Sequence, residues 1–516
     1  MMRGLRLFSS PAANDFRNTG IRPLPPNSRS RNLHPVPRSV DLTHMRLSAR
    51  PLLAFVLSSP LLGADFSARF DEIKQAAAPA QLYALLYDMP KGGDLHNHSG
   101  GSDRPEWIFD VLTNPARNGG DAFYTRAYIA AEPDAIAPGA RYFTIRKHTF
   151  DRLSAVVRSE YAPLNQLTGA ERVAWCNSLR LDLPGEGRKE FFEGIWNRRG
   201  EIGQNLPARL ELLAENIKAF AAEGVTYLEM QFGAGGASTN DGRPIATADA
   251  IAAIKRRLAD PELVATGLVV RFQESVLRFR PDAEVRLAES YAFVDANRDL
   301  WVAVNLVGLE ENGRGQPRRF LDTFRQLRSV YPTLPLSIHA GEMETANSHI
   351  RDSLLLGASR IGHGINLIQD SDTLLQLQQG RRVLVEINLI SNRLLEYVPD
   401  LTKHPFPEYL RTGVPVCLNT DDRGMWDSNL TDEYFTAVTT FHLSWDEIVR
   451  MGRSSLSFAF VQPGLKIKLM TDYDARIAAF EEKYATGSVA DALTKLGEVK
   501  PVTYGYAKRT WGLEFR

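Results

Sequence analysis

The chain is poor in cysteine, with Cys176 and Cys417 the two in 516 residues. Two thiols so far apart exclude a disulfide framework and a cysteine-rich zinc site, and leave each as a buried free thiol or, at most, one bridge. Net charge is lacking too. Lys plus Arg and Asp plus Glu each number 61, so no overall field draws nucleic acid, an anionic membrane or any strongly charged partner, and a small molecule is the default ligand. After Phe66 there is no low-complexity linker and no fixed-period repeat. What remains is ordinary for a folded protein with a large core: 44% hydrophobic residues and 24% charged. The length fits one large domain with insertions or two domains, since α/β barrels routinely fill about 250 residues as one unit.

The N-terminus stands apart. Residues 1–44 scatter arginines such as Arg3, Arg17 and Arg31 among Pro, Ser and Asn with little apolar periodicity, so they read as a disordered or non-native extension outside any core. From Met45 the chain runs MRLSARPLLAFVLSSPLLGADF. Arg46 and Arg50 form a positive start, Leu52 to Leu62 an apolar run, and Gly63-Ala64 a small-residue exit, the layout of a secretory signal peptide over 45–64. The apolar run is shorter than the roughly 20 residues a spanning helix needs. The expectation is a true start at Met45 and a periplasmic or secreted protein. A transit peptide, a membrane anchor and a cytoplasmic location are the competing readings.

From 65 to 516 short apolar runs alternate with segments of helical period. The expected strands lie at 92–100, 224–232, 265–276, 300–309, 334–342, 359–367, 382–391 and 414–422. Between them fall amphipathic stretches such as ARLELLAENIKAFAAEG and PRRFLDTFRQLRSVY. Strand alternating with helix implies parallel pairing, and eight units suit a closed (β/α)8 barrel of the TIM type, with an open doubly wound sheet as the alternative. Polar residues gather where these runs end, the end at which a barrel carries its active site. Residues 104–201 form a long insertion after the first strand, expected to be a helical cap or a partner surface such as a homodimer contact.

In DLHNH, His96 and His98 stand two apart at a strand end and point to one side, so two imidazoles can share a metal ion. A lone H-x-H pair more often has a core or surface role. His339 ends SIHAGE and Asp421 ends CLNTDD, so two further strands bring ligand types to the same rim. Three histidines and an aspartate suit zinc better than magnesium or calcium, which prefer oxygen shells. Glu342 follows His339 across Gly341 and can face the cavity as a general acid or base, or cap the next helix. His363, between Gly362 and Gly364, ends another strand. Asp422 follows Asp421 directly, and strand alternation sends the two side chains apart. Arg423 is either a solvated loop residue or a phosphate contact.

MPKGGDLHNHSG, SIHAGE, RIGHGINL, EINLISN and LNTDD, in this order over roughly 66–460, resemble the signature series of the adenosine deaminase family within the amidohydrolases. HAGE followed by DSLLLGASRIGHG is similar to its secreted growth-factor-like branch. The resemblance implies one zinc ion held by His96, His98, His339 and Asp421. It also implies Glu342 as donor to a purine ring nitrogen, His363 as the residue that orients the attacking water and shares in proton transfer, and Asp422 as a contact to the ring edge and that water. Gly308 matches the glycine whose backbone N–H meets the purine. The implied reaction is hydrolytic deamination of adenosine or 2′-deoxyadenosine to inosine and ammonia. Two departures bear on specificity: Ser99, Gly100 and Gly101 stand where many relatives carry a sugar-binding acid, and Asn388 to Asn392 replaces Cys-Pro-x-Ser-Asn while keeping Ser391 and Asn392. The alternatives are a deaminase of adenine, AMP or an N6-substituted adenine nucleotide, and a secreted binding protein that has lost turnover. The H-x-E with P-C-x-x-C pattern of cytidine-type deaminases is absent.

Overall fold

A computed structural model describes residues 62–129 and 139–515. All eight expected strands form. In chain order, β1 is Gly92–His98; the insertion contributes β2 (Phe123–Arg126), β3 (Thr144–Arg146) and β4 (Tyr161–Pro163); then follow β5 (Val225–Gln231), β6 (Val269–Leu277) and β7 (Trp301–Val307). The series ends with β8 (Leu336–Ala340), β9 (Arg360–His363), β10 (Leu384–Ile387) and β11 (Val416–Leu418). β1 and β5 to β11 pair in sequence order and in parallel. A parallel bridge between Asn97 and Asp421 joins the first strand to the segment after the last and closes a (β/α)8 barrel.

Parallel strands covered on both faces must be apolar almost throughout. β5 and β7 are accordingly buried at every position. The helix Leu206–Ala222 shows how the connections are made. Asn205 caps it by accepting from Ala208 N at 2.8 Å, and Pro207 sits in the first turn, where its missing N–H costs nothing. It buries Leu213, Ile217 and Phe220 in the main core, each contributing roughly 1.5–3 kcal/mol. Gly224 then turns the chain at φ +86°, a position where a Cβ would lie 2.6 Å from the Met89 carbonyl oxygen. Phe220→Ala, which opens a cavity here, would break this packing at about 3–5 kcal/mol.

The insertion carries helices, among them Pro105–Leu112 and Gly169–Asn177, around a core of its own that includes Trp175 and Phe109. It also carries a three-stranded antiparallel sheet in the order β3-β2-β4 that the sequence reading missed. Arg188, from the same insertion, reaches Glu311 and Glu344 at 2.5 and 2.8 Å, across the loops after β7 and β8. Cys176 and Cys417 are both buried free thiols. Among the described residues no helix is long and apolar enough to cross a membrane. The extension 1–44 and nearly all of the leader-like segment 45–64 lie outside the described residues.

Candidate active site

Strand period and a strained turn build the site together. Side chains two apart on β1 share a face, so His96 and His98 both reach the barrel rim. Asp421 adopts the left-handed conformation, φ 53°, rare for a residue with a Cβ. Its N–H donates to the His96 carbonyl at 2.9 Å and its carbonyl accepts from His98 N at 3.3 Å. These two bonds pin its carboxylate above the histidines. Asp421 Oδ1 lies 3.2 Å from His98 Nε2 and 3.5 Å from His96 Nε2, while His339 Nε2 lies 3.3 Å from His98 Nε2. The four expected ligands are thus in one place, from β1, β8 and the segment after β11.

The donor set fits a divalent cation. His96 Nδ1 is 2.8 Å from Glu386 Oε2, so the Glu386 carboxylate takes its Nδ1–H, and the buried Nε2 has no hydrogen-bond partner. Burial opposes protonation of His96, but Asp421 and Glu386 hold its pKa up to about 10. Positive charge is therefore favoured at that nitrogen, where a metal ion would displace the proton. His339 is set in the same way by a longer chain. Gln273 Nε2 donates to the Leu95 carbonyl at 3.1 Å, Asn305 Nδ2 donates to Gln273 Oε1 at 2.8 Å, and Asn305 Oδ1 faces His339 Nδ1 at 3.1 Å. The carbonyl end can only accept, so Nδ1 carries the proton and Nε2 turns its lone pair toward the cluster. Burial, then the charges of His96 and His363, push the His339 pKa well below its usual value. Three imidazole nitrogens and one carboxylate suit zinc.

Glu342 stands beside this cluster and outside it. Gly341 turns the chain at φ 78°, and the Glu342 N–H donates to Glu310 Oε2 at 2.9 Å, which brings its carboxyl group 3.7 Å from His363 Nε2. The next helix starts only at His349, so Glu342 is not its cap. Burial, reinforced by Asp421 and Glu310, raises its pKa well above the carboxylate range and keeps it a neutral acid. His363, also left-handed at φ 65°, is buried, and burial pushes its pKa well below that of a free imidazole.

Asp422 departs from expectation. It does not point away from Asp421: the two carboxylates and His98 bring oxygen or nitrogen atoms within 4.8 Å of one another. The left-handed turn at Asp421 cancels strand alternation. Burial and then the charge of Asp421 raise the Asp422 pKa well above its usual value; burial also opposes ionisation of Asp421, but the neighbouring His96 and His98 overcome it and hold the Asp421 pKa well below. Gly101 makes room for this, since a Cβ there would fall 1.5 Å from Asp422 Oδ1. Gly308 follows β7 on the same rim at φ 96°. Arg423 is neither solvated nor a phosphate contact. It is fully buried, paired with Glu223 at 2.9 Å and stacked on Phe220.

Residues missed in the sequence complete the site: Glu386 behind His96, Asn305 behind His339, and Glu310, which accepts from both Gly341 N and Glu342 N. Glu386 and Asn305 left one usable signal, a polar residue inside an otherwise apolar strand run.

The profile of the adenosine deaminase family matches residues 196–475, more than half of the chain. The chain belongs to the adenosine deaminase family. The match begins after β1, so His96 and His98 join the family's motifs through the geometry above. The chain is 37% identical to an adenosine deaminase of Enterococcus faecalis over 134 residues, 26% of this chain and 39% of that protein. It is 32% identical to an adenine deaminase of Paraburkholderia xenovorans over 241 residues, 46% of this chain and 66% of that protein. Both alignments leave a third or more of the relative unmatched. The crystal structure of an N6-mAMP deaminase from Arabidopsis shares the fold, with a TM-score of 0.54 at 21% identity, covering 76% of this chain and 99% of that one.

Proposed function

We propose that this chain is a hydrolytic deaminase of 6-aminopurine nucleosides, adenosine or 2′-deoxyadenosine, releasing ammonia and the 6-oxo product. The carrying observation is the Glu342 carboxyl group 3.7 Å from His363 Nε2, beside the cluster that His96, His98, His339 and Asp421 form. One zinc ion is the expected cofactor, held by His96, His98, His339 and Asp421. Bound there, it acts as a Lewis acid that makes water acidic enough to ionise near neutral pH. The chain's own residues do the rest. Glu342, neutral because it is buried, protonates a ring nitrogen and makes the amino-bearing carbon electrophilic. His363 orients the incoming water, Asp422 bonds the ring edge and that water, and Gly308 offers its backbone N–H to the purine.

A second reading has its own support. Where relatives carry a sugar-binding acid, Gly100 lies beneath the insertion: a Cβ there would stand 3.2 Å from the Trp196 ring and 3.6 Å from Arg199 Nε. Arg199, held by Asp103 at 3.0 Å, lines a cavity with Ser99, Gly100 and Arg209. Two guanidinium groups beside the sugar position favour an anionic substrate, AMP or an N6-substituted adenine nucleotide.

An ultraviolet assay of adenosine, deoxyadenosine, AMP, N6-methyl-AMP and adenine, with ammonia release measured in parallel and with chelator as control, separates the two. Faster turnover of nucleotides replaces the first reading by the second. Inactivity on every aminopurine by zinc-loaded protein overturns both and leaves a binding protein on the same barrel. The leader-like residues 45–64 support a periplasmic or secreted site of action, which N-terminal sequencing of the mature protein tests. An intact Met1 on the purified native protein would refute it.

A further inference from the structure

His404 touches neither the ligand cluster nor Glu342. It is buried, 2% exposed, and lies behind Asn392 on the side away from the ligand cluster. Its surroundings nevertheless determine which nitrogen of His363 carries a proton. Phe406 opens the helix Phe406–Thr412, so its backbone N–H has no partner within that helix. That N–H donates to His404 Nδ1 at 3.1 Å. A nitrogen that accepts cannot carry a proton, so the hydrogen of the neutral ring sits on Nε2. His404 Nε2 is 3.0 Å from Asn392 Oδ1, which must therefore accept. The other end of that amide, Asn392 Nδ2, donates to His363 Nδ1 at 3.1 Å, and Asn388 Nδ2 approaches the same nitrogen at 3.3 Å. His363 is left with its proton on Nε2, the nitrogen that faces Glu342.

We propose that His404, acting through Asn392, is a positioning residue that locks His363 in the Nε2–H tautomer, so that the nitrogen facing the site donates a hydrogen bond. Held in this way, His363 cannot take a proton at Nε2. It orients the attacking oxygen by donating to a lone pair, and the same N–H stabilises negative charge developing on that oxygen. The kinetic consequence rests on the deaminase reading. The tautomer does not, because it follows from hydrogen-bond polarity alone.

The test uses zinc-loaded protein labelled with 15N-histidine, in which two-bond correlations to the ring protons distinguish the tautomers; the His363 signals are assigned with His363→Gln. Wild type should show the Nε2–H pattern at His363. His404→Phe removes both polar ends and should give a mixed or Nδ1–H pattern, with kcat lowered by about 10- to 100-fold and KM little changed. His404→Gln, which supplies one acceptor and one donor, should restore both readouts. Should His404→Phe fail to fold, Asn392→Asp decides: a carboxylate offers only acceptors to His363 Nδ1, so the tautomer should invert. A wild-type Nδ1–H pattern, or an unchanged Nε2–H pattern in both His404→Phe and Asn392→Asp, overturns the proposal and leaves the deaminase reading intact. Protein with the expected tautomer but no turnover on any aminopurine keeps the relay and sinks the deaminase reading.

Discussion

Two chains of hydrogen bonds enter the site from opposite walls of the barrel and end in opposite results. On one wall, Leu95 O, Gln273 and Asn305 lead to His339, whose Nε2 is left as a lone pair. On the other, Phe406 N, His404 and Asn392 lead to His363, whose Nε2 is left with a proton. The residue types are nearly the same. The difference is the anchor: a backbone carbonyl can only accept and a backbone N–H can only donate, and each amide or imidazole in between passes that polarity on. One imidazole is left with a lone pair suited to a metal ion and its neighbour with an N–H to donate, although their ring centroids are 5.3 Å apart.

The largest expected effect comes from destroying the metal-binding half outright. His339→Ala should lose bound zinc and all measurable deamination, read by metal analysis and ammonia release together; a variant that still turns over would reassign the ligand set. Next is Glu342→Gln, which should keep its zinc while kcat falls by about 10² to 10⁴-fold, because the proton donor is gone and no ligand is touched. Wild-type rates in that variant would remove Glu342 from the chemistry. Asn305→Leu cuts the carbonyl-anchored chain and should weaken zinc binding by about 10- to 100-fold in a chelator competition, with the protein still folded. Undiminished affinity would mean that His339 needs no orienting partner.

The smallest effect is on the pH profile. Glu342 is pushed well above the usual carboxylate range by burial and then by Asp421, so its proton is present at neutral pH. Activity that depends on this proton is full below the raised pKa and lost as pH rises through it. The alkaline limb of kcat should therefore follow Glu342. A Glu310→Gln variant, lacking a carboxylate whose charge raises the Glu342 pKa, should move that limb to lower pH. A limb that stays in place would assign it to another group.

Much of the site was legible because a barrel converts sequence order into position. Each strand end falls on one rim, so His96, His339, His363 and Asp421 could be gathered from the ends of apolar runs alone. Three things could not be read in this way. The orienting partners come from elsewhere in the chain, with Glu310 supporting Glu342 and His404 supporting His363, and only folding brings each pair together. The left-handed turn at Asp421 breaks the period-two rule on which the placement of Asp422 relied. In the insertion, β2, β3 and β4 are three or four residues each, too short for alternation to show. Arg423 was misread for a related reason: following two aspartates it looks like a surface residue, yet Glu223, from the turn before β5, supplies a buried partner for its charge.

The bridge between Asn97 and Asp421 that completes the cylinder also carries a consequence for biosynthesis. The proposed ligands His96 and His98 emerge from the ribosome early and the Asp421 carboxylate that would complete the set emerges late, after every intervening strand. No earlier fragment of the nascent chain holds the full coordination set. An ion held by this set would act as a clasp fastened only when the cylinder is whole. Stripping zinc should loosen this seam first, in the amides of His98 and Asp421, while the bonds between β5, β6 and β7 on the far wall remain protected from hydrogen exchange.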